Sequence, residues 1–521
     1  MADMISNEYL NIPKDKFTFV NQDERIHDRK FDDKPIGFFK DAWLRFKKSR
    51  ASVVAAIIIV LIIIYAFLCP LLITSHNATF MANLYAKKPA RVEWLKEHLG
   101  ICDGGVNRAY SERGLQSKLA IGVAAMDLDG KTNVTVSEAM ESPYMPMIRY
   151  SETDQGYKGR IDTFLEVGFI YRSITKEDYD KILAWEKETG KKVFYPLIAD
   201  NEYTYQFDKT DANFWYKVDA KGNPLKVNSD GEAKRIKLSD NMKFEDNYLR
   251  DENGNAVYFI YTGGGNDKTA QLKTRVLYYN YFQYIYGSRP DYILGTDSQG
   301  YDLALRLAGG IKLSLLLSVC VASINFFIGT IYGAIEGYYG GTVDLIMERI
   351  SDILWDIPFI VLASLFQIHL AAKVGPIPSL IFVYVLTGWI GTASLVRTQF
   401  YRFKNQEYVM AARTLGASDS RIIWKHIYPN TLGTIITSSA LAIPSVIYQE
   451  SNLSYLGIVK LGSSKVTSLG TLLSDSSSIW TNYPHLMILP ALTISLLMIC
   501  FNLFGNGLRD AFNPALRGTE E

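Results

Sequence analysis

Cysteine is scarce in this chain: the four present, at 69, 102, 320 and 500, have no CxxC spacing, which excludes a disulfide scaffold and a structural zinc site. The six histidines are scattered without HExxH pairing, and no GxSxG turn occurs, so no nucleophile, base or metal site is recognisable. An excess of one charge is lacking too; 55 Lys and Arg stand against 54 Asp and Glu, which leaves no global field to attract nucleic acid. Gly263-Gly-Gly-Asn-Asp-Lys-Thr269 is superficially like a phosphate loop, but Asp267 occupies the required glycine position, so the segment reads as a turn.

Long apolar runs are abundant. Ala51 to Ile73 carries no charge, and as a helix it is about 34 Å long, enough for a hydrocarbon core of about 30 Å. Further uncharged runs are Leu313–Ile335, Val374–Val396, Ile427–Gln449 and Ser476–Leu508, with a weaker one at Ile357–Ile368. Six transmembrane helices are therefore expected. Lys40, Arg45, Lys47, Lys48 and Arg50 crowd before the first, which places the N-terminus in the cytoplasm. Counting helices then puts the basic loop from about 401 to 426 inside, with Arg402, Lys404, Arg413, Arg421 and Lys425, and also the tail with Arg509 and Arg517.

Between the first two spans, residues 75–293 are more than a quarter charged and hold twenty tyrosines. That aromatic content argues for a folded domain outside the membrane. Thr175-Lys-Glu-Asp178 is expected to open a helix running to Thr189, with Gly190 ending it. Val193–Ile198, Tyr203–Phe207, Phe214–Val218 and Ala256–Tyr261 have strand composition, with turns such as Lys221-Gly-Asn-Pro224 between them, so the insert is expected to be α+β. The expected organisation is a cytoplasmic tail at 1–50, a first span at 51–74, the insert at 75–293 and a core of five spans at 294–517. Cys69 and Cys102 both fall outside in this reading, where they either pair or remain free thiols.

The loop from Glu407 to Asn430 divides into two helix-forming pieces around Gly416. Ala411 and Ala412 give the first a small face, Gly416 permits a turn closed to other residues, and Ile422, Ile423 and Ile427 recur at helical spacing before Pro429. Spacing alone allows an amphipathic connector lying on the membrane or a surface approached by another protein. The loop resembles the EAA signature of bacterial ABC importer permeases, matching it at Ala411, Ala412, Gly416 and Pro429, with Met410 in place of its Glu and Tyr428 in place of its Leu. Leu294-Gly-Thr-Asp-Ser-Gln-Gly-Tyr-Asp302, Leu453-Ser-Tyr-Leu-Gly457 and Phe501 to Pro514 are similar to segments of the C-type subunit of oligopeptide and dipeptide permeases, with Tyr301 where that family has Arg and Asn506 where it has Asp. The resemblance covers residues 30–74 and 290–517 and does not extend to the insert.

This resemblance implies a mainly α integral membrane protein of the type I ABC importer permease fold, in a bacterial cell membrane, with an extracytoplasmic α+β insert. It implies two ABC ATPase subunits, a homologous second permease, an extracytoplasmic peptide-binding protein and the lipid bilayer as partners, and no nucleic acid. No cofactor is implied for this chain, ATP and Mg belonging to the ATPases, and no catalytic role. The coupling residues would be Met410, Ala411, Ala412, Arg413, Leu415, Gly416, Ala417, Asp419, Arg421 and Pro429. A membrane-anchored receptor or enzyme, its helices serving only as anchors, is the alternative reading.

Ionisable and aromatic residues in the spans suggest a translocation path. Glu348, Asp352 and Asp356 share one helical face, and Asp352, Trp389 and Glu450 are the candidates for that path. Each also has an ordinary reading, as an interfacial ion pair, a lipid-facing indole or a boundary carboxylate.

Overall fold

The computed structural model describes residues 38–73, 79–126, 133–199, 211–213, 243–245, 248–263, 269–461 and 467–512. Five helices are long and apolar enough to cross a membrane: Arg50–Leu72, Leu303–Tyr339, Pro376–Phe403, a continuous Asp419–Tyr455 and Pro484–Phe512. The expected third span is not one helix. It is a pair, Gly341–Trp355 and Phe359–His369, bent by 71° at the break, and only together do they pass as a sixth span. Pro358, at the start of the second piece, lacks the N–H that a continuous helix needs and clashes with the preceding turn. A short helix, Leu469–Ser476, ends where the long run from Ser476 begins, and the last span starts only at Pro484.

An amphipathic helix, Phe38–Lys48, precedes the first span. Ala42 and Phe46 bury against Ala511 and Phe504 of the last span, while Trp43 and Leu44 stay exposed. The first span is apolar all round yet buries only a stripe of Ser52, Ala55, Ile59, Ala66 and Cys69. Such a helix has its remaining surface suited to lipid. Small residues let it approach the last span closely: a side chain at Gly507 would collide with Ser52.

Counting the bent pair as the third, the second and fourth spans, Leu303–Tyr339 and Pro376–Phe403, share the most extensive helix–helix contact among the described residues. Gly329, Gly333 and Gly337 recur every fourth residue and lie directly on the fourth span. A Cβ at Gly329 would sit 2.7 Å from the Trp389 carbonyl oxygen, and one at Gly337 would sit 2.7 Å from the Phe400 Cβ. Between apolar helices in lipid, association relies on such backbone approach, because burying apolar surface there has little driving force.

The insert contains strands β1 (Gly105–Tyr110), β2 (Asn133–Thr135), β3 (Met147–Thr153), β4 (Gly156–Asp162), β5 (Phe169–Thr175), β6 (Phe194–Tyr195), β7 (Lys243–Glu245), β8 (Phe259–Gly263) and β9 (Gln271–Leu277). All described pairings are antiparallel: β1-β4-β3, β2-β7, and β5-β9-β6 with β8 also on β9. Helix Glu112–Ala125 covers one face of β1-β4-β3, with Leu115, Leu119 and Val123 against Met147, Tyr157 and Ile161. The expected helix is present as Lys176–Thr189, with Thr175 accepting from the Asp178 amide and Gly190 left-handed at its end. Of the expected strands, Val193–Ile198 shortens to β6 and Ala256–Tyr261 shifts to β8, while Tyr203–Phe207, Phe214–Val218 and the 221–224 turn lie outside the described residues.

Buried Arg91 ties the insert's ends together. Its guanidinium reaches Glu93 at 2.7 Å, Asp162 at the end of β4 at 3.1 Å and Asp291 just before the second span at 3.6 Å. All four cysteines are free, so Cys69 and Cys102 do not pair.

Candidate functional site: the loop around Gly416

The loop begins with helix Glu407–Thr414, and its end explains why glycine stands at 416. The Ala417 amide donates to the Ala412 carbonyl at 3.0 Å and the Gly416 amide to the Arg413 carbonyl at 3.0 Å. This is a Schellman ending, in which the first residue past the cap, itself one of the two donors, is left-handed; Gly416 has φ +79. The chain then turns through Asp419–Arg421 and a wider π-helical turn, Ile422–Ile427, into the fifth span, with Pro429 in its first turn.

One face of this loop is fixed and the other is bare. Val409, Ile422, Ile423 and Ile427 are buried against Ala334 and Tyr338 of the second span, Val396 and Phe400 of the fourth and Ile435 of the fifth. Tyr338 adds a 2.5 Å hydrogen bond to the Asp419 carboxylate, and the Arg413 guanidinium lies 5.9 Å from the Tyr338 ring. Outward, Leu415 is 88% exposed, with Met410, Tyr408 and Trp424 also exposed. Ala411, Arg413, Asp419, Arg421 and Pro429 are exposed as well, Ala417 is half-buried, and Ala412 is turned inward. A leucine this exposed contributes nothing to the fold of the single chain.

The candidate path residues are not brought together. Asp352 is exposed and pairs with Arg349 at 3.2 Å. Trp389 is buried, its indole donating to the Leu386 carbonyl and its ring 4.5 Å from Tyr332. Glu450 is fully buried; Ser314 of the second span and Ser454 of its own helix donate to it at 3.1 and 2.9 Å. It acts as a polar pin between the second and fifth spans.

Two features were missed in the sequence. Arg397 of the fourth span gathers Asp344 at 2.5 Å, Glu348 at 2.9 Å and Glu336 at 3.6 Å, so Glu348 is held in an ion-pair cluster rather than free on its face. The glycine stripe 329, 333 and 337 was readable as a fourth-residue repeat of small residues.

The segment from Leu294 to Asp302 proves structural. The Asp297 carboxylate accepts from the amides of Gln299, Gly300 and Tyr301, each at 2.9 Å. Asp302 caps the second span through the Ala304 amide at 2.7 Å and the Leu305 amide at 3.3 Å. Tyr301, the departure from the family pattern, is buried beneath the Arg306 guanidinium at 4.7 Å.

A bundle of apolar helices, with small residues at a tight crossing and a braced loop bare on one side, marks a polytopic membrane protein. Comparison with known proteins gives the family. Residues 325–518 match the profile of the binding-protein-dependent transport system inner membrane component, and residues 37–89 match the N-terminal TM domain of oligopeptide transport permease C. The oligopeptide transport system permease protein OppC of Bacillus subtilis is 41% identical over 227 residues, 44% of this chain and 73% of that protein. The dipeptide permease protein DppC of the same organism is 40% identical over 229 residues, covering 44% and 70%. OppC of Escherichia coli is 40% identical over 233 residues, covering 44% and 75%. Among solved structures, an inward-facing MetNI methionine ABC transporter aligns with a TM-score of 0.32 at 16% identity, covering 39% of this chain and 94% of that chain. The chain belongs to the C-type permease subunits of the oligopeptide and dipeptide ABC transporter family.

Proposed function

We propose that this subunit forms half of the pore of an ATP-driven importer that carries oligopeptides or dipeptides, its relatives' names supplying the cargo class. In this reading the fold is that of a type I importer permease, the bent pair 341–369 counts as the third of six spans, both termini are cytoplasmic and the insert is extracytoplasmic. The partners are a homologous permease, two ATPases that hold ATP and Mg, and a peptide-binding protein outside. This chain contributes movement and no catalysis.

The observation that carries the reading is the loop around Gly416. Its buried face is packed on three spans, so a push on its outer face moves those spans together. Its outer face carries Leu415, 88% exposed and outside the core cluster among the described residues. Such a loop suits the transfer of ATPase closure into alternating access. Met410 supplies an apolar contact where the family pattern has a carboxylate. The test is ATP-dependent accumulation of labelled tri-alanine in proteoliposomes holding the co-purified assembly. Leu415→Asp should abolish it, and an unchanged rate would refute the coupling role.

A further inference from the structure

A cavity of about 490 Å³ that the coupling role leaves unused opens on the β1-β4-β3 sheet of the insert, lined by Asn107, Arg149, Ser151, Lys158 and Arg160 among others. Strand alternation fixes which side chains face it. Tyr157 and Ile161 of β4 are buried beneath helix Glu112–Ala125, so Lys158 and Arg160 between them point to the opposite side. The register sets Arg149 of β3 directly across from Arg160, and Ser151 across from Lys158.

Three cations therefore share one sheet face. Arg160 is immobilised by Asp103, whose two carboxylate oxygens it meets at 2.6 Å each. Arg149 and Lys158 are exposed, and among the described residues neither is paired with a carboxylate. Asp103 already balances Arg160, so the charges left for a bound anion to balance are those of Arg149, across from it, and of Lys158. The volume is that of a small-ligand site, and an arginine fork fits the planar carboxylate in two parallel hydrogen bonds.

We propose that this groove binds the C-terminal carboxylate of a short peptide through Arg149 and Lys158, on the outer side of the membrane. The inference rests on the peptide cargo and on the extracytoplasmic placement of the insert. The C-terminal carboxylate is the one anionic group that all unmodified peptides share regardless of side chain, so a cationic site that reads only this group accepts cargo of any sequence.

The test uses the full chain in nanodiscs of zwitterionic lipid, with equilibrium dialysis against radiolabelled tri-alanine and its C-terminal amide. The free acid should bind about tenfold or more tighter than the amide. Arg149→Gln and Lys158→Gln should weaken the acid by a similar factor while leaving the melting temperature unchanged, since neither side chain braces the fold. Equal binding of acid and amide, no binding of either, or unaffected variants would overturn the proposal. So would variants that lose a co-purifying binding protein at unchanged tri-alanine affinity, which would assign the face to an acidic protein surface. Uptake of tri-alanine by cells separates the two readings. Uptake without binding to the purified chain sinks this site alone, whereas absence of both sinks the peptide cargo as well.

Discussion

Substituting Gly333 by alanine tests the helix crossing most sharply. A Cβ there would lie 2.9 Å from the Ala393 carbonyl carbon and 2.9 Å from the Val396 Cβ, and closer still to the Ala393 carbonyl oxygen. Carbon contacts settle at about 3.5 Å or more, so the second and fourth spans must separate by roughly 1 Å or bend. The obstacle is backbone, which cannot swing aside as a side chain would. Overpacking of this kind costs about 1–3 kcal/mol, and it is offset in part by the helical preference of alanine over glycine, up to about 1 kcal/mol. The net expectation is a loss of about 1–2 kcal/mol, within the range set by those two terms. Gly309, on the same helix, is the matched control, because a Cβ there meets nothing within 4 Å. Gly309→Ala should be neutral or slightly stabilising. The assay is unfolding of the full chain in mixed micelles of increasing SDS fraction. If the two variants unfold at the same SDS fraction, the crossing is not held by close backbone approach and the reasoning fails.

Three further outcomes are expected. Tyr338→Phe removes the 2.5 Å bond to Asp419 but keeps the ring in its apolar cluster, so ATPases should still co-purify while uptake per ATP hydrolysed falls; a ratio equal to wild type would contradict this. Asp302→Ala strips the cap from the second span and should cost about 0.5–2 kcal/mol in the same SDS assay, whereas Asp302→Asn should recover most of it. Burial, the largest influence, pushes the Lys88 ammonium down from 10.5 to about 8. The unfolded chain then binds more protons than the folded chain between those values, so stability should rise with pH from about 8 to 10.5, by at most about 1.4 kcal/mol per pH unit. Lys88→Met should flatten that limb, and an unchanged limb would remove Lys88 as its cause.

How much the sequence disclosed depended on how local each signal is. Uncharged runs exposed the spans because the hydrocarbon core excludes charge, but the 71° bend at Pro358 needed the geometry of the pair. Gly416 was legible because a left-handed turn leaves few choices of residue. The bare face of that loop was less so: by residue type alone Leu415 reads as any leucine until the fold shows it 88% exposed. Strands β3 and β4 escaped notice because Arg149, Lys158 and Arg160 dilute their apolar alternation, the same cations that line the cavity. Glu450 reads as a pore candidate in sequence, and only its hydrogen bonds to Ser314 and Ser454 show it pinned between helices. Arg397 gave no local sign, since its three carboxylates come from the second span and the helix after it, far along the chain.

The central claim is that the bare face around Gly416 seats the ATPases. It is tested most directly by pulling down the tagged full chain from its native cells in mild detergent, beside Leu415→Asp, with mass spectrometry of the co-purifying proteins. The account predicts ATPase and sister permease with the wild-type chain, and loss of the ATPase alone with Leu415→Asp. Equal recovery of ATPase with both chains would contradict it.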